Sequence, residues 1–279
     1  MSENFLQKIW RTSPSAAFRA VRQRFGYSHG PRRVPPSWVR VQAGALAGRE
    51  LLLAAELGGS WREMLEGTYD RDLFARLTAA VPLAGATVWD IGAHFGYHTL
   101  GFAALVGSAG RVVAFEPNPF NRERLKLNLE RNRDLAKIIE VIPKAVSEQD
   151  GEADFVFSAD IDSGDSSCSH LGAALPPRPA DAYAEFRRET VPTVRIDTLM
   201  TQRPGQFPTV IKIDVEGAEW LVLQGGREFF SRHKPAILME VHDIRLMLHV
   251  GSFLRDHGYK ILGVDEAHAT PSRCFIVAK

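Results

Sequence analysis

The chain has 279 residues, enough for one large α/β domain with additions or for two small ones. Hydrophobic residues make up 45% and charged residues 24%, a soluble globular balance, and a net charge of +1 supplies no global field for nucleic acid. No apolar run approaches the ~20 residues that span a bilayer.

The N-terminus has no apolar core followed by a small-residue cleavage site, so no signal peptide is expected. Cys168 and Cys274 stand far apart and outside metal-ligand spacing, which fits free thiols in a cytoplasmic protein. Residues 1–40 carry eight basic side chains against Glu3 alone, so the remainder is mildly acidic. Phe5, Ile9, Trp10, Phe18, Val21 and Phe25 are spaced among those arginines. They describe an amphipathic segment that docks on the body or makes peripheral contact with a membrane surface.

Residues 1–26 read as a basic helix broken at Pro14, and Gly30-Pro31 with Pro35-Pro36 mark a loop. Trp38–Leu53 alternates loosely, as a strand or hairpin does. Gly58-Gly59 makes a turn. Arg71–Val81 has helical spacing through Leu73, Phe74, Leu77 and Ala80, with Pro82 ending it. Residues 1–82 are therefore an arm and a helical/β cap, and the main domain runs over 83–279.

From Thr87 strands alternate with helices, the pattern of a mostly parallel sheet. Strands are expected at Thr87–Ile91, Arg111–Phe115, Ile138–Ile142, Thr209–Asp214 and Ala236–Val241. Tyr259–Gly263 and Cys274–Ala278 should close the sheet as an antiparallel hairpin, giving about seven strands. Helices are expected at Tyr97–Val106, Asn118–Arg133 (capped by Asn118), Glu216–Leu223 and Ile244–His257. Residues 151–192 interrupt the alternation. A strand at Ala153–Phe157 and an irregular lid or substrate loop after it fit that stretch, and an edge strand is expected next at Thr193–Asp197.

Four places carry chemistry. Gly92-Ala93-His94-Phe95-Gly96 follows the first core strand, where glycine permits φ > 0 and close backbone approach. His94 stands where a dinucleotide fingerprint has its middle glycine, which disfavours a pyrophosphate there. Glu116 ends the second strand twenty residues after Gly96, the place of an acidic ribose ligand, and Pro117-Asn118-Pro119 turns the chain after it. Lys212 interrupts an apolar strand and needs a partner. Asp214 ends that strand, while Glu216 and Glu219 suit a first helical turn, where they complement the dipole. Glu240 and His242 end the next strand, and an imidazole there suits proton transfer near neutral pH.

The blocks Asp90-Ile-Gly92-Ala-His94-Phe-Gly96-Tyr-His-Thr99, Phe115-Glu116-Pro117-Asn118-Pro119, Lys144-Ala145-Val146-Ser147, Arg195-Ile-Asp197-Thr-Leu199 and Lys212-Ile-Asp214-Val-Glu216-Gly217-Ala-Glu219, with Pro235 and Glu240-Val-His242, resemble the FkbM family of S-adenosylmethionine-dependent methyltransferases. The resemblance covers roughly residues 66–243, in the family's order. Asn would be more usual than His at position 94.

The resemblance implies a class I methyltransferase (Rossmann-like) sheet. It also implies O-methylation of a hydroxyl on a sugar or on a polyketide or peptide natural product. By position, Asp90, Gly92, Gly96 and Thr99 would hold the methionine end of the cofactor, with His94 in the same turn. Glu116, followed by Pro117, would bind the ribose. Ala145 and Val146 would border the adenine, and Asp214 would lie beneath the methyl.

His242 is the expected base, oriented by Asp214 or Glu240. In a variant, Asp214, Glu240 and His242 hold a Mg²⁺-like ion that acidifies the acceptor hydroxyl. Two other classes remain open at this level: a nucleotide- or NAD-dependent oxidoreductase, and a non-catalytic cofactor-binding protein.

Overall fold

Runs of apolar residues bounded by glycine, proline and asparagine become the strands and helices of a layered α/β body. The computed structural model describes residues 35–54, 59–158, 169–173, 186–266 and 274–279. The expected basic helix over residues 1–26 lies outside these residues, as do Gly58 and most of the turn expected between the last two strands.

A hairpin, β1 (Ser37–Arg40) with β2 (Glu50–Leu53), is followed by α1 (Ser60–Glu66) and α2 (Arg71–Ala80). The alternating body then runs β3 (Thr87–Ile91), α3 (Tyr97–Val106), β4 (Arg111–Phe115), α4 (Pro119–Arg131), α5 (Arg133–Ala136) and β5 (Ile139–Ile142). Next come β6 (Ala145–Val146), β7 (Gly151–Ser158), β8 (His170–Leu171), β9 (Phe186–Val194) and α6 (Ile196–Gln202). The chain closes with β10 (Val210–Ile213), α7 (Glu219–Gln224), α8 (Arg227–His233), β11 (Ala236–Val241), α9 (Ile244–Asp256), β12 (Ile261–Glu266) and β13 (Cys274–Ala278).

The main sheet has seven strands in the order β12-β13-β11-β10-β3-β4-β5. Only β13 runs antiparallel to its neighbours. β10 and β11 are buried along their whole length, as strands covered on both faces must be. One face packs Trp89, Ile91, Phe115 and Ile213 against Phe229, Phe230 and Phe253 of α8 and α9. The other packs Val88, Val112 and Val210 against Leu100 and Phe102 of α3 and against Leu51, Leu53, Leu73 and Leu77 of the N-terminal hairpin and α2. The hairpin and α2 therefore share a core with the sheet.

Asn128 of α4 ties this cap to the site. Its Oδ1 accepts from the Leu52 amide at 2.7 Å, and its Nδ2 donates to the Phe95 carbonyl at 2.9 Å. The chain leaves β3 towards β4 and β5, then returns on the other side at β10. That reversal opens a crevice at the carboxyl ends of β3 and β10.

Two expectations are corrected. The strand expected at Ala153–Phe157 forms as β7, but the stretch expected to be irregular after it contains β9, which pairs antiparallel with β7 in a second sheet ordered β6-β9-β7-β8. The strand expected at Thr193–Asp197 ends at Val194, and Asp197 sits in the first turn of α6, where its Oδ1 accepts from the Phe229 amide at 2.9 Å.

Candidate active site

The crevice widens into a cavity of about 1010 Å³. Sheet ends line its floor through Ile91–Ala93, Phe115–Pro117, Asp214–Glu216 and Glu240. One wall is Ala145, Val146, Phe155 and Leu171 from the second sheet. The opposite wall comes from the cap: Trp61, Met64, Tyr69, Asp70, Arg71 and Arg76.

The glycine turn is built by packing. Gly92 has φ +84°, and a Cβ there would lie 1.9 Å from the Asp214 carbonyl oxygen. Its missing side chain lets the ends of β3 and β10 meet. Gly96 has φ +93°, and a Cβ there would fall 2.3 Å from Leu125 Cδ1, so that glycine admits α4. His94 between them adopts φ +53°, a left-handed conformation that His and Asn tolerate better than most side chains. Burial lowers its imidazole pKa to about 4.

That turn also aims an amide. The His94 N–H donates to Glu116 Oε2 at 2.7 Å, and the Asn118 N–H donates to Oε1 at 2.9 Å. Burial pushes the Glu116 pKa up, and these amides pull against the shift without cancelling it. Asn121 Oδ1, buried at the same end of the cavity, has no hydrogen-bond partner among the described residues.

Asp90 and Thr99 lie behind the turn, not on the cavity wall. Both are wholly buried, and Thr99 Oγ1 donates to Asp90 Oδ2 at 2.6 Å. Lys212 finds the partners its burial demands. Its ammonium donates to the Gly92 carbonyl at 2.8 Å and lies 3.3 Å from both Asp90 and Asp214. Burial disfavours that charge, yet the two carboxylates outweigh it and hold the Lys212 pKa above its ordinary value. Asp90, Gly96 and Thr99 thus shape the turn from beneath and do not themselves line the cavity.

His242 also differs from expectation. Expected as the base facing the acceptor, it has its side chain buried beneath the cavity floor. Nδ1 lies 2.8 Å from Glu219 Oε1. Nε2 faces Glu240 Oε1 at 3.3 Å, Glu216 Oε1 at 3.5 Å and Asp214 Oδ1 at 3.7 Å. Burial opposes charge on the imidazole, but Glu216 and Glu219 outweigh it and hold the His242 pKa well above its ordinary value.

Glu219 stands in the first turn of α7 as expected, but buried, and Glu216 lies before the helix. Glu216 stands in a left-handed turn (φ +52°), the helix begins only at Glu219, and Glu219 is wholly buried. Asp214, Glu240 and His242 come close enough that one ligand atom from each lies within 4.8 Å of the others.

Sequence reasoning missed the cap side of the cavity. Asp70 (φ +53°) lies 2.9 Å from His98 Nε2, and Tyr69 and Tyr97 flank that pair. The turn between α1 and α2 brings Tyr69 and Asp70 there, and no local spacing announced it.

A seven-stranded sheet with its last strand inserted antiparallel, a crevice at the reversal point and a glycine turn after the first core strand define a class I methyltransferase. The Methyltransferase FkbM domain matches residues 90–261, and the chain belongs to that family. Membership removes the oxidoreductase alternative. The chain is 27% identical over 199 residues to the hexuronic acid methyltransferase AglP of Haloferax volcanii, covering 67% of this chain and 72% of that protein. Among solved structures it is similar to the methyltransferase FkbM of Methylobacillus flagellatus KT, at 22% identity and a TM-score of 0.47. That match covers 69% of this chain and 43% of the other, so the chain spans less than half of that protein's length. It is also similar to Aeropyrum pernix fibrillarin in complex with S-adenosyl-L-methionine, at 14% identity and a TM-score of 0.44, with 74% of each chain covered. Among the described residues, no helix is long and apolar enough to cross a membrane.

Proposed function

We propose that this chain transfers a methyl group from S-adenosyl-L-methionine to a hydroxyl oxygen of a sugar. One observation carries the reading. A single cavity is lined by Glu116 at one strand end and by Asp214 and Glu240 at two others. It therefore has room for a cofactor and an acceptor, with a carboxylate for each.

The residues present fit the cofactor. Glu116 Oε1 already accepts from the Asn118 amide and from Asn121 Nδ2, while Oε2 takes the His94 amide alone and keeps a lone pair for a ribose hydroxyl. Ala145, Val146, Phe155 and Leu171 supply an apolar wall for a flat base, with Pro117 at its edge. Helix α3 opens at Tyr97 beside this turn, and the amides of its first turn suit a carboxylate. When bound, S-adenosylmethionine supplies an electrophilic methyl on a sulfonium.

The protein's part is alignment, which accounts for much of the acceleration in a two-reactant displacement. As the acceptor oxygen takes the methyl, the methyl C–S bond of the sulfonium would break to leave S-adenosylhomocysteine, and the hydroxyl loses its proton. Asp214 and Glu240 face the cavity and supply the negative field into which that proton is released, while His242, below them, holds them in place. Trp61, Tyr69 and Tyr97 offer flat faces to a sugar ring, and Arg71 and Arg76 beside them suit an acidic one. The hexuronic acid methyltransferase relative supports the same acceptor class.

Isotope-labelled S-adenosylmethionine, incubated with the protein and glycosides of uronic acids or neutral sugars, tests the proposal by mass spectrometry. Label should appear as an ether on the sugar, with uronates preferred. Transfer only to nitrogen, or only to non-sugar acceptors, would remove the reading.

A further inference from the structure

We infer that Asp214, Glu216, Glu240 and His242 form a binding site for one divalent cation of the Mg²⁺/Mn²⁺ class. Glu219 orients the imidazole from behind. This deepens the methyltransferase reading, because the cation would lie at the acceptor end of the same cavity.

The His242 ring makes its one short hydrogen bond through Nδ1. Glu219 Oε1 takes Nδ1 at 2.8 Å and itself accepts from the Gly217 amide at 2.9 Å. A buried carboxylate on one ring nitrogen is how metal-binding histidines are fixed, leaving the other nitrogen to the ion. Here the other nitrogen, Nε2, is buried and has no hydrogen-bond partner among the described residues.

Three carboxylate oxygens nevertheless surround it, from Glu240 at 3.3 Å, Glu216 at 3.5 Å and Asp214 at 3.7 Å. Charge-assisted N–H···O contacts settle at about 2.7–2.9 Å, so these are too long to be such bonds. They match the separation of ligands around an ion. Donors held ~2.1 Å from an octahedral centre lie about 3.0 Å apart at right angles and about 4.2 Å apart when opposed. The ligating atoms of Asp214, Glu240 and His242 all fall within 4.8 Å of one another.

Three elements deliver the set. Asp214 ends β10, Glu216 rides the left-handed turn at φ +52°, and Glu240 and His242 come from the end of β11. Lys212 holds the far oxygen of Asp214 at 3.3 Å, which leaves Oδ1 directed to the cluster. Three oxygens and one imidazole nitrogen favour a hard cation over a thiophilic one. Asp214, Glu216 and Glu240 also line the cavity, so the ion's remaining positions would open towards an acceptor hydroxyl.

The test uses the full chain with Mn²⁺ as probe. Calorimetry should give one site, and electron spin echo spectroscopy should detect one imidazole nitrogen coupled to the ion. Glu216→Gln and Glu240→Gln should each weaken Mn²⁺ at least ~10-fold, and Glu219→Gln should weaken it ~10-fold through the imidazole. S-adenosylhomocysteine binding is measured on the same samples and should persist in all three variants. If the wild-type chain binds S-adenosylhomocysteine but takes up no Mn²⁺ or Mg²⁺, the cation site is wrong. Mn²⁺ uptake without nitrogen coupling, or unaltered by Glu216→Gln, also overturns it. Failure of S-adenosylhomocysteine itself to bind would instead strike the methyltransferase reading.

Discussion

Lys212 and Asp90 are register partners on adjacent strands, and the Lys212 ammonium lies 3.3 Å from the Asp90 carboxylate. Asp90 is wholly buried and also accepts from Thr99, while Lys212 donates onward to the carbonyl of Gly92. The pair thus fixes the turn on which the cavity floor is built. Removing one member of a buried pair strands the other charge at about 3–5 kcal/mol. Lys212→Met should therefore lower unfolding free energy by about that amount in urea titrations. Adding Asp90→Asn should restore part of it. A loss under ~1 kcal/mol would mean that the pair does not hold the turn.

Gly96 and Leu125 form a second structural couple. A Cβ at position 96 would lie 2.3 Å from Leu125 Cδ1, at a φ of +93° that disfavours any side chain. Gly96→Ala should destabilise by ~2 kcal/mol or more, from strain and overpacking together. Leu125→Ala alone should cost about 2–5 kcal/mol as a cavity. The double variant should be less destabilised than the sum, with a coupling of roughly 1 kcal/mol. Simple additivity in thermal or urea unfolding would show that the close approach is not what selects glycine.

Acid should loosen the far edge of the sheet. Glu140 on β5 accepts from Arg203 and Arg111, and these guanidinium groups, Arg203 first, hold its pKa down to about 2. A carboxylate depressed in the folded state contributes its stability above the ordinary carboxylate value. That contribution is lost as pH falls through the folded value. The window therefore runs from pH ~4.5 down to about 2. Glu140 is one-third exposed, so solvent screening reduces the size of the effect. Glu140→Gln should flatten the dependence of stability on pH in that window and leave its shape above pH ~5 unchanged. An unchanged acid limb would refute the assignment.

The strands of the main sheet were legible because two covered faces demand continuous apolar residues, as in Val112-Val113-Ala114-Phe115 and Ala236-Ile237-Leu238-Met239. β9 was not legible over its first half. Arg187, Arg188, Glu189 and Thr190 are all exposed, so no period of two marks them. The first turn of α7 was misplaced for another reason. Glu216 and Gly217 both take positive φ, and the acidic run that resembled a helix start is a turn aimed at His242. The glycine turn, Glu116, Asp214 and Glu240 were findable because each follows a recognisable strand. Asp70, Tyr69 and His98 were not, since only the folding of the cap over the sheet brings them to the cavity.

In the proposed reaction the Glu116 end of the cavity holds the cofactor of methyl transfer. Calorimetric titration of S-adenosylhomocysteine into the wild-type chain and into Glu116→Gln tests it most directly. The wild-type chain should bind one equivalent. The variant, losing charge-assisted hydrogen bonds worth about 1.5–3 kcal/mol each, should bind roughly 10-fold to 100-fold more weakly. Absence of binding to the wild-type chain, or equal affinity in the variant, would contradict the claim.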